Sequence, residues 1–291
     1  MSHKNHNFNP VLLNAGLACH DADWNYNNIS NPFFRIYLVM EGGARLEINQ
    51  MAYDLKPGKL YLIPPFSVHN DSCSGIFSLY YIHVFENQKN AISLFEQYHF
   101  PVEVEADDLA AQLIGRLIEI NPERELLQYD PELYTNDLVL MNGLARSEQT
   151  PLPAQMETKG ILSVLFSRFF GLAVETSINN DNRIWNAVHY IRDNIHTRIR
   201  IPDLANACNV SEDHLIRLFK KELNMTPIAY VNKKKIEKAQ LMLVLEHSTI
   251  KEVACSLAFD NISYFNKVFK AQLGKTPSDY LKITPRKSSG Y

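Results

Sequence analysis

The chain has 291 residues, of which 46% are hydrophobic and 21% are charged, and its formal net charge is −3. Such a length and composition predict a soluble globular protein large enough for two domains and a sizeable core. No run approaches the roughly 20 apolar residues of a membrane span, and the N-terminus lacks the apolar run of a secretory signal.

The charge is divided unevenly along the chain. Residues 1–182 hold 11 Lys and Arg against 22 Asp and Glu, a net of −11, whereas residues 183–291 hold 18 against 10, a net of +8. A basic half attracts the phosphate backbone of nucleic acid, and an acidic half is repelled by it. The cysteines are scattered without a CxxC pair, which predicts reduced packing residues in a cytoplasmic protein: Cys19, Cys73, Cys208 and Cys255.

Residues 33–84 have the pattern of short strands. Phe34–Met40 is a dense apolar run, Ala44–Ile48 alternates apolar and polar residues, and Leu60–Ile63 ends at two prolines. A further strand is predicted from Ile76 to Val84, after Gly75. Many short strands joined by tight turns indicate an all-β barrel or sandwich.

Helical spacing follows from about residue 87. Helices are predicted over 106–120, with Leu109, Leu113, Ile114 and Leu117 on one stripe, and over 131–144. A third helix is predicted over 155–176, and its wide apolar face packs either on the barrel or on a second copy of the chain. That face consists of Ile161, Leu162, Leu165, Phe166, Phe169 and Phe170.

A short polar segment at 177–182 is the predicted boundary between two domains. The predicted organisation is a β-barrel domain with flanking helices over 1–176, the linker 177–182, an all-α domain over 183–285 and a flexible tail over 286–291. The fold class is therefore α+β, with a helix beginning near Ile184 as the first element of the second domain.

An internal repeat dominates the basic half. Residues 217–227 recur as residues 267–277, Tyr230 corresponds to Tyr280, and upstream the match continues at an offset of 49 residues through Ile201 with Ile250 and Ala205 with Ala254. A duplicated helix-turn-helix unit fits this repeat best. The copies are predicted at about 202–223 and 250–273, joined by a connecting helix at about 227–245.

Cap residues support these helices. Ser211, Thr226 and Thr249 stand where N-caps are needed, and Asp260 or Asn261 caps the last helix of the second copy. The connecting helix has a predicted length of about 29 Å, which approaches the roughly 34 Å of one DNA turn. Two recognition helices joined in this way can enter successive major grooves. Lysines 233, 234, 235 and 238 along the connecting helix form a solvated basic face or contact phosphate.

Residues spread over both copies and the connecting helix form a recognisable pattern: Leu204-Ala205, Val210-Ser211, His214-Leu215, Arg217, Phe219-Lys220, Thr226-Pro227, Tyr230, Ile236, Ala239, Ile250, Val253-Ala254, Phe259-Asp260, Ser263-Tyr264-Phe265, Phe269-Lys270, Gly274, Thr276-Pro277 and Tyr280. Through these residues the C-terminal hundred residues resemble the DNA-binding domain of AraC/XylS-type transcription regulators. Two departures from the family pattern occur: Ala258 stands where glycine is usual, so we expect a slightly remodelled turn, and Asn224 replaces a frequent glycine with little consequence.

The resemblance implies which residues read DNA. Base-edge contacts fall on Asp213, Ile216 and Arg217 in the first copy, and on Ile262, Ser263, Asn266 and Lys267 in the second. The chemistry agrees for Arg217, which can grip guanine bidentately, and for Asn266, which can pair with adenine; the isoleucines can touch only a thymine methyl. The predicted DNA-binding set is completed by Lys220, Lys221 and Lys270.

The N-terminal half is similar to the cupin-like barrel common in that family, on the strength of residues 35–42, Pro57-Gly58 and 64–69. Metal-binding cupins carry a His-x-His pair on one strand, which is missing here, so we predict no metal and no other cofactor. A barrel without metal can still hold a small organic ligand, and sugar sensing is typical of the family. The predicted ligand contacts are Trp24, Arg35, Tyr37, Phe66, His69, Tyr81 and His83.

The leading hypothesis is a cytoplasmic, ligand-responsive transcription regulator that binds double-stranded DNA and is not an enzyme. The resemblance further implies a homodimer, an activator and contact with RNA polymerase. Two alternatives stay open: a DNA-binding protein whose barrel only dimerises, and a cupin enzyme, such as an isomerase or oxygenase, that carries a DNA-binding appendage. The absent His-x-His pair and the lack of a Ser/His/Asp or paired-carboxylate signature weigh against the enzyme.

Overall fold

A computed structural model of the chain describes residues 8–87, 92–130, 137–245 and 248–282. The chain folds into two compact units. The first holds the described residues up to Phe95 and those of Phe100–Ala173, and the second holds Glu96–His99 and Val174–Lys282. The predicted tail at 286–291 and the first half of the helix predicted over 131–144 lie outside the described residues.

Among the described residues, the first unit contains two antiparallel sheets. One has the strand order β1 (Pro10–Asp21), β8 (Ile76–Glu86), β3 (Phe34–Gly42), β6 (Lys59–Ile63), β10 (Glu103–Glu105). The other has the order β2 (Tyr26–Ile29), β7 (His69–Ser72), β4 (Ala44–Ile48), β5 (Met51–Leu55). Both contribute to one apolar core that includes Trp24, Tyr37, Leu46, Phe77 and Tyr81. The predicted sheet-rich domain is thus confirmed.

Strand β4 shows why this region is a sheet. Ala44, Leu46 and Ile48 are buried while Arg45 and Glu47 between them are exposed, which is the period-two pattern of a strand with one face in the core. The preceding Gly42 has φ of 72°, and a side chain there would bring a Cβ within 1.9 Å of the Ile76 carbonyl oxygen. Only glycine fits this turn.

The helices of the first unit lie outside the sheets and differ in part from prediction. They are α2 (Asp108–Ile120), α3 (Asp137–Gln149) and α4 (Leu152–Phe170), while the short helix α1 (Leu94–Gln97) begins in the first unit and ends in the second. Helix α2 buries Ala110, Ile114 and Leu117, whereas Leu109, which was predicted on the buried stripe, is 48% exposed. Its N-cap Asp107 accepts a hydrogen bond from the Ala110 amide, which moves the start of the helix to residue 108.

Helix α4 also differs from prediction at both ends: it begins at Leu152, not 155, and ends at Phe170, before Gly171. Residues 174–175 instead form a short strand. The apolar face of α4 packs on the sheet, since the Phe166 ring lies 5.5 Å from the Phe34 ring of β3. Of the two alternatives for that face, packing on the barrel is the one observed.

The second unit is almost entirely helical. A two-stranded sheet pairs β9 (Tyr98–His99) with β11 (Val174–Glu175). The helices are α5 (Ser177–Asn180), α6 (Asn182–Asp193), α7 (Ile201–Ala207), α8 (Glu212–Leu223), α9 (Pro227–Leu245), α10 (Ile250–Ser256), α11 (Ile262–Leu273) and α12 (Pro277–Lys282). The segment predicted as a linker, 177–182, contains the short helix α5 and the start of α6.

Aromatic residues anchor the two copies of the repeat. Phe219 in α8 and Phe265 and Phe269 in α11 are fully buried. The Phe219 ring meets Tyr230 edge-on at 5.8 Å, and the Phe269 ring meets Tyr280 in the same way at 5.5 Å. The repeat in the sequence is therefore a repeat of core contacts as well.

Candidate nucleic-acid interface and barrel cavity

The backbone of the two helix-turn-helix copies repeats at its turns and caps. Ser211 and Thr249 each accept a hydrogen bond from an amide in the first turn of the following helix, which confirms both as N-caps. Asn261, not Asp260, caps α11. These caps supply partners for amide groups that have none within the helix, so each recognition helix begins at a fixed residue.

Four turn positions adopt the left-handed conformation. In the first copy they are Asn209 and Asn224, both with φ of 54°, and their counterparts in the second copy are Ala258 with φ of 49° and Gly274 with φ of 73°. The expectation that alanine remodels the second turn is therefore wrong. Ala258 keeps the conformation that its glycine or asparagine counterparts adopt, in spite of the steric cost of its Cβ.

In the first recognition helix α8, the predicted reading residues lie on the exposed side. Asp213, Arg217, Lys220 and Lys221 are exposed and Ile216 is half-buried. The Arg217 side chain lies along the helix, because its Nε donates to the Asp213 carbonyl oxygen at 3.3 Å. The buried side of the same helix is apolar, with Leu215, Leu218 and Phe219 in the core.

In the second recognition helix α11, Ile262, Ser263, Lys267 and Lys270 are exposed. Asn266 differs from its predicted exposed position: it is half-buried, and its Oδ1 is buried without a hydrogen-bond partner among the described residues. Such an atom has lost water without gaining a protein partner, which is costly. A ligand group or a rotation of the amide would satisfy it.

Tyr264 was not among the predicted site residues, although it lies beside them on α11. It is 40% exposed, and its hydroxyl accepts a hydrogen bond from the Asn232 Nδ2 of α9 at 3.0 Å. The sequence signal was present in the Ser263-Tyr264-Phe265 motif, but the pairing with Asn232 depends on tertiary structure.

The lysines of the connecting helix α9 divide into exposed and buried groups. Lys233 is exposed and Lys238 half-buried. Lys234 forms ion pairs with Glu96 at 3.1 Å and Glu237 at 2.5 Å. Burial lowers the pKa of Lys234, but these two carboxylates outweigh it, so the pKa is raised overall. Lys235 is only 4% exposed. The interpretation of this lysine run as a solvated or phosphate-contacting face is thus wrong for Lys234 and Lys235.

A small cavity of about 20 Å³, enough for roughly one water molecule, lies within the first unit and opens to solvent. Its lining is mostly aromatic and carries no lysine, arginine or carboxylate: Ala18, His20, Trp24, Tyr37, Leu79, Tyr81, His83, Leu126 and Tyr129. The rings meet edge-on, with Trp24 and Tyr37 6.1 Å apart and Tyr81 and Tyr129 also 6.1 Å apart. Such a lining can stack against a flat or ring-shaped molecule and offer hydroxyl and imidazole hydrogen bonds.

The loop after α2 contributes one wall of this cavity. The Leu126 amide donates to the Tyr81 hydroxyl at 2.7 Å, and the Tyr129 hydroxyl donates to the Leu17 carbonyl at 3.3 Å. Burial lowers the pKa of His20 and also that of His83, so both imidazoles are neutral at pH 7. The cavity therefore presents uncharged polar groups.

Four of the seven predicted ligand contacts line this cavity: Trp24, Tyr37, Tyr81 and His83. The other three, Arg35, Phe66 and His69, lie elsewhere in the unit. Sequence reasoning missed the other five lining residues, which are Ala18, His20, Leu79, Leu126 and Tyr129. The last two belong to the loop at 121–130, which follows a helix in the sequence and has no pattern that places it against a strand.

Arg35 and His69 belong to a buried polar cluster. The Arg35 Nη1 donates to the His69 Nε2 at 3.0 Å, the guanidinium also bonds the Asn31 side-chain oxygen, and His69 Nδ1 lies 3.2 Å from the Ser67 carbonyl. Burial, and then the Arg35 charge, lower the pKa of His69 to about 3. A neutral His69 that donates from Nδ1 and accepts at Nε2 satisfies both contacts.

Asp71 completes that cluster. One of its oxygens lies 3.8 Å from His69 Nε2, and the other has no hydrogen-bond partner among the described residues. Burial raises the pKa of Asp71 to about 7, although Arg35 partly opposes the rise. Over the described ranges, no group of three or more His, Cys, Asp or Glu is placed to hold a metal ion. No described helix is long and apolar enough to cross a membrane.

Comparison with known proteins gives two family matches. Residues 14–128 match the family described as an AraC-like ligand binding domain, and residues 204–283 match a helix-turn-helix domain. The chain is 22% identical to the Msm operon regulatory protein of Streptococcus mutans, over 95% of this chain and 94% of that protein. It is 30% identical to the xylose operon regulatory protein of Escherichia coli, over 35% of this chain and 26% of that protein.

Among solved structures, the chain is similar to ToxT from Vibrio cholerae O395, with 15% identity, a TM-score of 0.51 and coverage of 95% of this chain and 97% of that one. A ToxT structure described as bound to an unsaturated fatty acid also matches, with 14% identity, a TM-score of 0.51 and coverage of 98% of both chains. At this level of identity the likeness establishes a shared fold.

Proposed function

Because the chain belongs to the AraC family of DNA-binding transcription regulators and carries a ligand-binding N-terminal domain, we propose that α8 and α11 read two half-sites of one operator. The observation that carries this proposal is the repeat itself: two copies with matching turns each present a recognition helix whose outer face is polar and largely exposed. A helix of this kind lies in the major groove and reads base edges from its exposed side.

The exposed residues divide by chemistry into base readers and phosphate binders. Arg217 and Lys267 suit the acceptor edge of guanine, Asn266 suits adenine once its amide faces the groove, and Ile216 and Ile262 suit a thymine methyl. Asp213 and Ser263 accept or donate at a neighbouring base. Lys220, Lys221 and Lys270 stand in the later part of their helices and suit phosphate, which orients the protein without selecting sequence.

We propose further that the effector binds between Trp24, Tyr37, Tyr81 and Tyr129. The cavity there holds roughly one water molecule, so the loop at 121–130 must move aside to admit the effector. We propose that the effector is a neutral, hydroxyl-rich molecule such as a sugar. Support comes from the lining, in which every polar group is uncharged. A fatty acid, the ligand described for one ToxT structure, carries a carboxylate that needs a cation, and the lining supplies none. Two relatives are named as regulators of operons, one of them the xylose operon.

A ligand can alter DNA binding only if it prefers one conformation of the protein over another. The loop that carries Leu126 and Tyr129 is the part of the lining that a ligand would displace, because its bond to the Tyr81 hydroxyl competes with a ligand hydroxyl. The alternative in which the barrel only dimerises predicts no effector, and the aromatic cavity favours the sensing function over it.

Thermal melting of the full chain against neutral mono- and disaccharides, with oleate beside them, tests the effector proposal. One sugar raises the melting temperature, Tyr81→Phe weakens that response, and Tyr53→Phe, a tyrosine outside the cavity, leaves it intact. A response to oleate without any response to sugars would overturn the choice of ligand class.

The family resemblance supports three finer proposals: the regulator acts in the cytoplasm without enzymatic activity, forms a homodimer and contacts RNA polymerase at the promoter. Sedimentation of the purified 33.4 kDa chain tests the second proposal. A species of twice that mass is expected, and a species that stays at the monomer mass at all concentrations contradicts it.

A further inference from the structure

The segment that enters the first helix-turn-helix copy touches the turn of the second copy. Residues 196–198 lie between α6 and α7, before the first copy begins. His196 Nδ1 lies 3.1 Å from the Ser256 carbonyl oxygen, and the Arg198 guanidinium lies 3.3 Å from an Asp260 carboxylate oxygen. Both pairs are exposed, and exposed pairs of this kind hold two elements together only weakly.

Lys235 lies between these two pairs and is buried. Its ammonium donates to the Thr197 carbonyl oxygen at 2.9 Å and to the Ala258 carbonyl oxygen at 3.5 Å. The ammonium also lies 5.5 Å from the centre of the Phe259 ring. One group on the connecting helix α9 therefore bonds the entry to the first copy and the turn of the second copy at once. We call residues 196–198, Lys235 and residues 256–260 the clasp.

Burial makes these contacts depend on a cation with hydrogen-bond donors at this position. Burial lowers the pKa of Lys235, and the nearby Asp260 carboxylate partly offsets the effect. A buried cation that meets carbonyl dipoles and an aromatic face is stabilised only while that geometry is kept. If the two copies move apart, the ammonium loses one carbonyl and the carbonyl loses its donor. The cost of both losses opposes the movement.

The second copy also holds its left-handed turn at this point. Ala258, whose carbonyl accepts from Lys235, has φ of 49°, and the next residue, Phe259, supplies the aromatic ring. The backbone direction at this turn sets where α11 begins, since α11 starts at Ile262 after its cap Asn261. A contact that fixes the Ala258 carbonyl therefore fixes the direction of the second recognition helix relative to the entry of the first.

We propose that Lys235 is a positioning residue that joins the two helix-turn-helix copies into one body, so that the protein accepts operators with a single spacing between their half-sites. Without the clasp, the copies are linked through α9 alone, and each recognition helix can settle on its own half-site at more than one separation. Lys235 touches no DNA in this account. It acts through the geometry of two helices that do.

A selection from a random duplex pool tests the proposal with the full chain. The wild-type protein and Lys235→Met are selected in parallel, and the separation of the two enriched half-site sequences is read from the bound pools. The wild-type pool has one separation, close to one helical turn of roughly 10 base pairs. The Lys235→Met pool keeps the same half-site sequences at several separations, and affinity for the wild-type site falls by about tenfold because the second contact loses its effective concentration.

Two matched variants separate positioning from charge and from general loss of structure. Lys238→Met makes the same change one turn further along α9 at a half-buried position and keeps the single separation. Lys235→Arg keeps a cation with donors and restores the single separation. If Lys235→Met melts at too low a temperature for the selection, Lys235→Gln takes its place. Glutamine is shorter than lysine but polar, and its pool is likewise expected to contain several half-site separations.

A Lys235→Met or Lys235→Gln variant that folds and still selects the wild-type separation alone overturns the proposal, whatever its affinity. The inference rests on the proposed reading of DNA by both recognition helices, and the same data distinguish the two. If the wild-type pool contains a lone half-site, the two-helix reading fails, and the clasp inference fails with it. If the wild-type pool has paired half-sites at one separation and the Lys235→Met and Lys235→Gln pools match it, the clasp inference alone fails.

Discussion

At the scale of single residues, the turn positions of the repeat show how local chemistry determines backbone conformation. Asn209, Asn224 and Gly274 are residue types that tolerate positive φ, and all three adopt it. Ala258 adopts φ of 49° without that tolerance. The surrounding contacts, among them the bond from Lys235, therefore hold a conformation that the alanine itself disfavours.

Ala258→Gly is expected to raise the free energy of unfolding by about 0.5–1 kcal/mol. Glycine removes the steric cost of a Cβ at positive φ in the folded state, and this gain exceeds the stability lost because glycine increases the entropy of the unfolded chain. Ala271→Gly in the exposed last turn of α11 is the matched control and lowers the free energy of unfolding by up to about 1 kcal/mol, the cost of glycine in a helix interior. Chemical denaturation measures both. Equal destabilisation by the two changes would show that Ala258 is not strained.

Arg217→Ala tests direct reading by the first recognition helix. Loss of a bidentate contact to guanine is expected to weaken binding to the specific site by about 1–3 kcal/mol and to relax the choice at one base pair. Lys270→Ala, a phosphate-type position, weakens binding to all sequences alike. A loss for Arg217→Ala that is equal on random DNA would assign Arg217 to phosphate instead. Titration of labelled duplexes at fixed salt measures these effects.

At the scale of elements, the sequence predicts those parts of the fold whose signals are local. The connecting helix α9 starts at Pro227 after its cap Thr226, and the alternating pattern of β4 gives both its bounds and its buried face. Strand β1 was missed because the first seven of its twelve residues are buried on both faces, so no alternation marks them.

The parts that the sequence could not give depend on contacts between distant residues. Leu126 and Tyr129 reach the cavity through bonds to Tyr81 and Leu17, which lie 45 and 112 residues away. Three consecutive lysines at 233–235 suggest a solvated face, yet the structure buries the third against two carbonyls. No local pattern distinguishes a buried lysine of this kind from its exposed neighbour.

Phe269→Ala is expected to lower the stability of the second unit by about 3–5 kcal/mol, because it removes a fully buried ring from between Phe265 and Tyr280 and leaves a cavity. Phe269→Leu keeps most of the volume and should lower it by less than about 1.5 kcal/mol. Calorimetry of the full chain checks both variants. A melting profile that Phe269→Ala leaves unchanged contradicts the place of Phe269 in the core.

At the scale of the whole molecule, the basic and acidic halves of the chain differ in where they place charged side chains. The basic half presents lysines and arginines on its recognition helices, whereas the acidic half keeps its cavity free of charge. The acidic unit also buries the polar cluster of Arg35, His69 and Asp71. That cluster makes the stability of this unit depend on pH.

Asp71→Asn is expected to gain stability relative to the wild type as the pH rises from about 4 to about 7, and to gain no more above that. The pKa of Asp71 is raised to about 7 in the folded chain, against about 3.9 when unfolded, so the folded state retains a proton that the unfolded state releases. The stabilising contribution of Asp71 is therefore fully present below about pH 4 and is lost as the pH rises to about 7.

His69 acts in the opposite direction, because its pKa is lowered and its stabilising effect is lost as the pH falls. Both proteins keep His69, so the difference between them isolates Asp71. Urea denaturation at a series of pH values measures that difference. A difference that is constant over this range, or that falls as the pH rises, would contradict the raised pKa.

Footprinting of the full chain on the duplex that it selects tests most directly the claim that two recognition helices read one operator. Two protected major-groove tracts on one face of the DNA are expected, separated by about one helical turn of roughly 10 base pairs. Arg217→Ala removes protection from one tract and Lys267→Ala from the other. A single protected tract, or protection that neither change alters, would contradict the account.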